Sequence, residues 1–351
     1  MTVTRLSLRP GYEISRVICG GWQFAGGHGP VDREAAVADL TAFAEAGITT
    51  FDCADIYTGV EELLGAMRAG FGRRHGAEAL RRIRVHTKCV PNLATLASTS
   101  RASIRAIVET SLKRLRAERL DLVQFHWWDY AVPGYIDAAG WLVELQREGK
   151  IELLGGTNFD TGRTAELLAA GMEVASLQVQ YSLLDNRPEH GLVDLCRRND
   201  IHLLCYGTVA GGFLSDRWLG APEPKPPFEN RSLTKYKLII DDFGGWTLFQ
   251  HLLAVLREIA DRHDTDISSV ASRAMLDRPA VAGIIVGARN RSHLASNLAL
   301  TDIALTGADR AAVGAVLAQR KGPSGDTFEL ERDRFGRHGS IMKYDLNTAA
   351  T

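Results

Sequence analysis

The feature that most limits what this chain can fold into is a rhythm. Eight short runs rich in Val, Ile and Leu alternate with longer amphipathic stretches, the runs falling at 17–20, 49–52, 84–88, 120–126, 151–157, 175–181, 201–206 and 281–286. Near-continuous apolar runs of this length read as strands of a parallel sheet, because helices cover such strands on the sheet's faces. Between them, 32–46 opens on the capping carboxylate of Asp32 and stops at Gly47, as a helix does. The stretch 103–115 spaces Ile104, Ile107, Val108, Ser111, Leu112 and Leu115 three or four apart, so one face packs while Arg105, Lys113 and Arg114 stay in water. Eight strand–helix pairs fit an α/β fold closed as a (β/α)8 TIM barrel better than an open doubly wound sheet, which commonly has fewer strands.

A single barrel domain accommodates all 351 residues, with a core of about 15–320, a short N-terminal segment before it and a C-terminal extension of about 320–351 near the barrel. After the seventh strand a long loop, 207–246, carries APEPKPPFEN before a helix starting near Thr247. Loops of this length are commonly functional. The tail mixes charges with Phe328, Phe335, Ile341, Met342 and Tyr344, and two placements are open for it, across the barrel mouth or along its flank. Barrel chemistry sits where strands end, which is where Asp52, Lys88, His126, Asn158, Gln178 and Tyr206 all fall.

Charge and cysteine content narrow the function classes. Forty-one Lys plus Arg against 42 Asp plus Glu leave a net charge of −1 with no polybasic block, which argues against a nucleic-acid partner. No apolar run approaches the ~20 residues that span a bilayer, and MTVTRLSLRPGYEIS lacks the apolar core of a secretory signal. A cytoplasmic protein without a membrane partner is expected. Five cysteines without a CxxC point to neither a disulfide framework nor a metal site, and Cys53 and Cys89 read as packing residues. No pattern sets an oligomeric state.

The chemistry centres on Tyr57, in the loop after the second strand. A phenol titrates near pH ~10 and donates poorly at neutrality unless a cation stabilises the phenolate. Lys88 is the candidate cation, its attraction amounting to about 4 kcal/mol at ~4 Å and an effective dielectric of about 20. At about 1.4 kcal/mol per pKa unit, this pulls Tyr57 toward neutrality, less whatever Asp52 takes back while holding the ammonium in place. His126 is placed to donate to a substrate oxygen. Together the four form a site that protonates a carbonyl oxygen becoming an alkoxide, the hydride coming from an organic carrier. The glycines from Gly20 to Gly27 do not match GxGxxG, though they allow close backbone approach to a ligand.

Five segments, FDCADIYTGVEELLG, SLKRLRAERLDLVQFHW, LGGTNFD, SLQVQYSLLD and IIVGARNRSHLASNLAL, resemble in this order the successive signatures of the aldo-keto reductases, over about 17–300. The resemblance implies a barrel that binds NADPH without a Rossmann domain, NADH being possible, and that reduces aldehydes or ketones to alcohols reversibly. It carries the catalytic tetrad onto Asp52, Tyr57, Lys88 and His126. It gives Thr157, Asn158 and Gln178 to the nicotinamide carboxamide and Tyr206 to its ring, with Gly21 and Trp22 beside them. Gly207, Val209, Gly211, Gly212 and Leu214 take the pyrophosphate, while Gly287, Arg289, His293 and Asn297 take the adenosine end. There the family's lysine and arginine around the ribose 2′-phosphate are replaced by Gly287 and His293, leaving Arg289 and Arg291 to supply charge. An aromatic wall of Trp22, Tyr57, His126, Trp127 and Trp128, with Phe24 and Trp246 near the mouth, suits a small carbonyl or alcohol substrate. Other readings are an alcohol or aldose dehydrogenase, a cofactor-binding regulatory subunit like the potassium-channel beta subunits, and a Schiff-base aldolase using Lys88.

Overall fold

In the computed structural model, which describes residues 3–25 and 29–342, eight parallel strands close on themselves. Two strands precede them: β1 (Arg5–Arg9) and β2 (Tyr12–Ser15) form an antiparallel hairpin. The barrel runs β3 (Val17–Gly20), β4 (Thr50–Asp52), β5 (Arg84–Cys89), β6 (Leu120–Phe125), β7 (Ile151–Thr157), β8 (Val174–Gln180), β9 (His202–Tyr206) and β10 (Val281–Gly287), with β10 pairing back onto β3. This is a (β/α)8 barrel, and each strand lies within one residue of its expected bounds. The short N-terminal segment plugs the barrel floor: Leu8, Tyr12 and Ile14 bury against Ile18, Leu122, Leu204 and Ala282.

Capping explains where the helices start. Asp32 accepts hydrogen bonds from the amides of Glu34 and Ala35 ahead of the helix Arg33–Glu45, and Gly47 ends that segment at φ +100°. The helix Arg101–Leu115 begins two residues earlier than its apolar period implied, because Ser100 and Ser103 form a reciprocal capping box.

The stretch 207–246 is not a bare loop. Asn230 caps a helix, Arg231–Phe243, which buries Leu233, Tyr236, Ile239, Ile240 and Phe243. A turn at Gly244 and Gly245 then leads into the helix Trp246–Arg262. Trp246 is thereby drawn from the mouth, packing 5.0 Å from Phe249 and 5.9 Å from Trp218, and Phe24 is buried in the core.

The tail lies on the barrel mouth. Glu331, fully buried, receives both terminal nitrogens of Arg187 at 2.8 and 3.0 Å. Gly26, Gly27 and Tyr344 lie outside the described residues. Among those described, no helix is long and apolar enough to cross a membrane, no group of His, Cys, Asp and Glu is arranged to hold a metal, and all five cysteines are buried and unpaired.

Candidate active site

The carboxyl ends of the strands surround a cavity of about 920 Å³. Asp52 ends β4 in register with Gly20 and His86, and Lys88, two residues beyond His86, returns to the same inward side. The Lys88 ammonium donates to Asp52 Oδ2 at 2.9 Å, Asp52 Oδ1 at 3.1 Å and the Cys53 carbonyl at 2.7 Å. Asp52 Oδ1 also accepts from the amides of Gln124 at 3.1 Å and Gln178 at 2.5 Å. These residues come from β4, β6 and β8, alternate strands that contribute one interior layer. Burial opposes charge on Lys88, yet Asp52 and then Tyr57 outweigh it and hold the ammonium above its ordinary range.

Gly59, at φ +79°, turns the loop after β4 into the helix Val60–Leu80 and leaves Tyr57 facing Lys88. The Lys88 nitrogen is 5.0 Å from the Tyr57 ring centre, and Trp22 meets the same ring edge-on at 5.2 Å. Burial raises the Tyr57 pKa, Lys88 pulls it down, and Asp52 and Cys53 push it up, so it ends above the ordinary tyrosine value. This overturns the expected shift toward neutrality. The packing that brings phenol and ammonium together also takes away part of the water that would solvate a phenolate.

Beyond β6, successive side chains alternate inward and outward. His126 points into the cavity with Nδ1 3.1 Å from the Thr157 carbonyl. A carbonyl only accepts, so Nδ1 carries the hydrogen. Burial first, then Arg332, lowers the His126 pKa to about 3, against the pull of the Thr157 carbonyl. The neutral ring thus presents the lone pair of Nε2. Toward the cavity it is an acceptor, where the sequence led to the expectation of a donor. Trp127 points outward, fully buried, with its indole donating to the Val132 carbonyl at 2.9 Å. It is therefore absent from the cavity wall, whereas Trp128 stands edge-on to His126 at 4.5 Å and lines it.

The opposite wall holds Thr157, Asn158, Gln178 and Tyr206. Asn158 adopts φ +61° and its Oδ1 accepts from the Tyr206 hydroxyl at 2.9 Å. Val209, Gly207, Gly211 and Gly212 continue this wall, while Leu214 is buried in the core and does not reach it. Gly21 also stays off the cavity: a Cβ there would meet the Asp52 carbonyl and Val60 at 2.7 Å, so this glycine lets β3 and β4 close up. Gly287, Arg289, His293 and Asn297 line the far end, but Arg291 turns outward to Asp39 at 2.7 Å. Gly287 and Arg289 lead into a 3-10 turn and the helix Leu294–Ala299, too short to offer an anion site at its amino end. Among the residues on or against the site that went unnoticed as such in the sequence are Gln124, Lys235, Phe328 and Arg332. Arg332 donates to the carbonyls of Trp128 and Asn158, both at 2.8 Å.

A model of the aldo/keto reductase family matches residues 16–318. The chain belongs to that family. It is 26% identical over 314 residues to the aldo-keto reductase YhdN of Bacillus subtilis, covering 88% of this chain and 91% of that one. It is likewise 26% identical to the NADH-specific methylglyoxal reductase of Escherichia coli, covering 84% and 92%. With the flagellar radial spoke protein 5 of Chlamydomonas reinhardtii it shares 27% identity over 68% of this chain, spanning 56% of that longer protein. The glycerol dehydrogenase of Gluconobacter oxydans superposes with a TM-score of 0.73 at 24% identity, covering 90% of this chain and 95% of that structure, a likeness of fold.

Aldo-keto reductases work with nicotinamide cofactors, and the cavity residues of this one fit such a group. The Asn297 amide nitrogen is buried without a partner among the described residues, which suits an acceptor on a purine edge. Gly212, at φ +103°, has nothing within 4 Å of where a Cβ would lie, leaving its backbone open to close approach by a phosphate.

Proposed function

We propose that this aldo-keto reductase reduces aldehydes or ketones to alcohols, reversibly and with NADPH, and that Tyr57 is its general acid and base. The observation that carries the reading is the Lys88 ammonium, fixed by Asp52 on the cavity floor beside the Tyr57 ring. A bound reduced nicotinamide supplies the hydride. Because the Tyr57 pKa lies above the ordinary value, the phenol is fully protonated at neutral pH and gives up its proton only to a more basic oxygen, the alkoxide. The Lys88 charge stabilises the phenolate left behind. His126 Nε2 accepts from a hydroxyl, either on a substrate that carries one beside its carbonyl or on the product alcohol. The raised pKa of Lys88 speaks against an amine nucleophile, which needs a lowered one.

Tyr57→Phe removes the proton and leaves the ring in place. It is expected to abolish turnover while NADPH still quenches intrinsic fluorescence; near-normal rates would refute the assignment. For the 2′-phosphate we assign Arg289, since Arg291 is committed to Asp39. Arg289→Ala is expected to weaken NADPH and spare NADH, and equal loss of both cofactors would remove that role.

A further inference from the structure

The helix Arg231–Phe243 carries two lysines with different fates. Lys237 is bound by Glu223 at 2.7 Å and Asp241 at 2.6 Å. Lys235 lies on the cavity wall, its side chain 16% exposed, with Nζ 5.2 Å from the Tyr206 ring centre and 5.9 Å from that of Phe328. Its nearest carboxylate among the described residues is Glu331 at 3.8 Å, and both oxygens of that group already receive Arg187. A bidentate guanidinium is the stronger claimant. The Lys235 charge is thus only partly compensated, and burial carries its pKa below the ordinary lysine value despite the opposing pull of Glu331.

We propose that Lys235 is a specificity determinant that receives an anionic group of the substrate, so that the preferred carbonyl compound also carries a carboxylate. This rests on the reductase reading above. Phe328 borders both groups, its ring centre 5.9 Å from that of His126 and 5.9 Å from the Lys235 nitrogen. Its ring offers an apolar surface to the part of the substrate beside the anion.

The test compares 4-formylbenzoate with benzaldehyde. In Lys235→Met the ratio of their kcat/KM values is expected to fall by about 10- to 100-fold, mainly through KM, the range for one lost hydrogen bond to a charged group. Lys235→Arg is expected to retain most of the preference, and thermal unfolding checks that both variants fold. An unchanged ratio overturns the proposal. So does a loss that appears in NADPH affinity instead, which would assign the ammonium to a cofactor phosphate. If neither aldehyde is reduced, the reductase reading fails separately, and Lys235 is then read by binding. Quenching of tryptophan fluorescence by 4-(hydroxymethyl)benzoate and by benzyl alcohol must show the charged compound losing affinity in Lys235→Met by a similar factor, and equal binding to both proteins overturns the proposal.

Discussion

Lys88 and Asp52 are both buried, with 6% of either side chain exposed, and neither is tolerable alone. Lys88→Met leaves a buried carboxylate held by amides only, and is expected to cost about 3–5 kcal/mol in urea unfolding. Adding Asp52→Asn to that variant is expected to recover much of the loss, whereas an additive double variant would mean the pair is not coupled. The same neighbourhood sets how the two reaction directions respond to pH. Reduction needs the Tyr57 phenol protonated, which holds at all pH values below its raised pKa. His126, near 3, stays neutral from weakly acid pH upward. The rate of reduction at saturating substrate is therefore expected to be flat from about pH 5 to 9. Alcohol oxidation needs the phenolate, whose fraction grows tenfold per pH unit below the pKa, and its rate should climb across the same range. A bell-shaped reductive profile centred near neutrality would contradict both the direction of the Tyr57 shift and the neutral state of His126.

The glycines after β9 show how an element can be legible for one reason and fixed by another. Their number in GTVAGGFLS points to close backbone approach, but at Gly207, with φ +77°, a Cβ would lie 2.2 Å from the Tyr236 hydroxyl oxygen, on the helix Arg231–Phe243. Gly207→Ala is thus expected to destabilise by about 1–3 kcal/mol from strain and overpacking together. Gly212→Ala, in open space, should cost about 1–2 kcal/mol through its left-handed conformation alone. Thermal unfolding of the two variants ranks them, and equal shifts would dismiss the packing contribution. The barrel strands were readable because burial on both faces writes itself into consecutive residues. The helix Arg231–Phe243 was not, since RSLTKYKLIIDDF follows a proline-rich run and puts polar residues in its first two turns. The tail was unplaceable for a different reason. Its anchor, Glu331 on Arg187, joins residues 144 apart in sequence and leaves no local pattern. In the site, the residues at strand ends were found by position, but the outward turn of Trp127, the pairing of Arg291 with Asp39 and the hydrogen on His126 Nδ1 depend on neighbours brought by other elements.

At the scale of the molecule, the barrel interior is stacked from an apolar floor, closed by the β1–β2 hairpin, to a charged top layer around Asp52. Between them lies His86, fully buried and packed 6.2 Å from Tyr12, with both ring nitrogens unpartnered among the described residues. Burial, then the charges of Lys88 and Arg84, lowers its pKa to about 3, as burial and Arg332 do for His126. In the unfolded chain both rings regain the ordinary value near ~6.5. Between these limits the two rings together bind two more protons in the unfolded state than in the folded one, so their contribution to stability is full above about pH 6.5 and falls as the solution is acidified toward 3. Two protons correspond to a slope of about 2.7 kcal/mol per pH unit. Against a total stability of about 5–15 kcal/mol, two units of acidification remove a substantial share of it. Glu331, held at about 2 by Arg187 against its own burial, adds its loss only as the pH falls below the ordinary carboxylate range of about 4. Asp55, pushed well up by burial, takes a proton in the folded state first and offsets part of the histidines' loss. Urea unfolding at pH 7.5, 6.5, 5.5 and 4.5 should show a plateau and then this descent. His86→Leu, which removes one of the two buried rings and fills its place with an apolar side chain, should lower the slope by about 1.4 kcal/mol per pH unit, and an unaltered slope would mean that His86 already finds a proton partner inside the barrel.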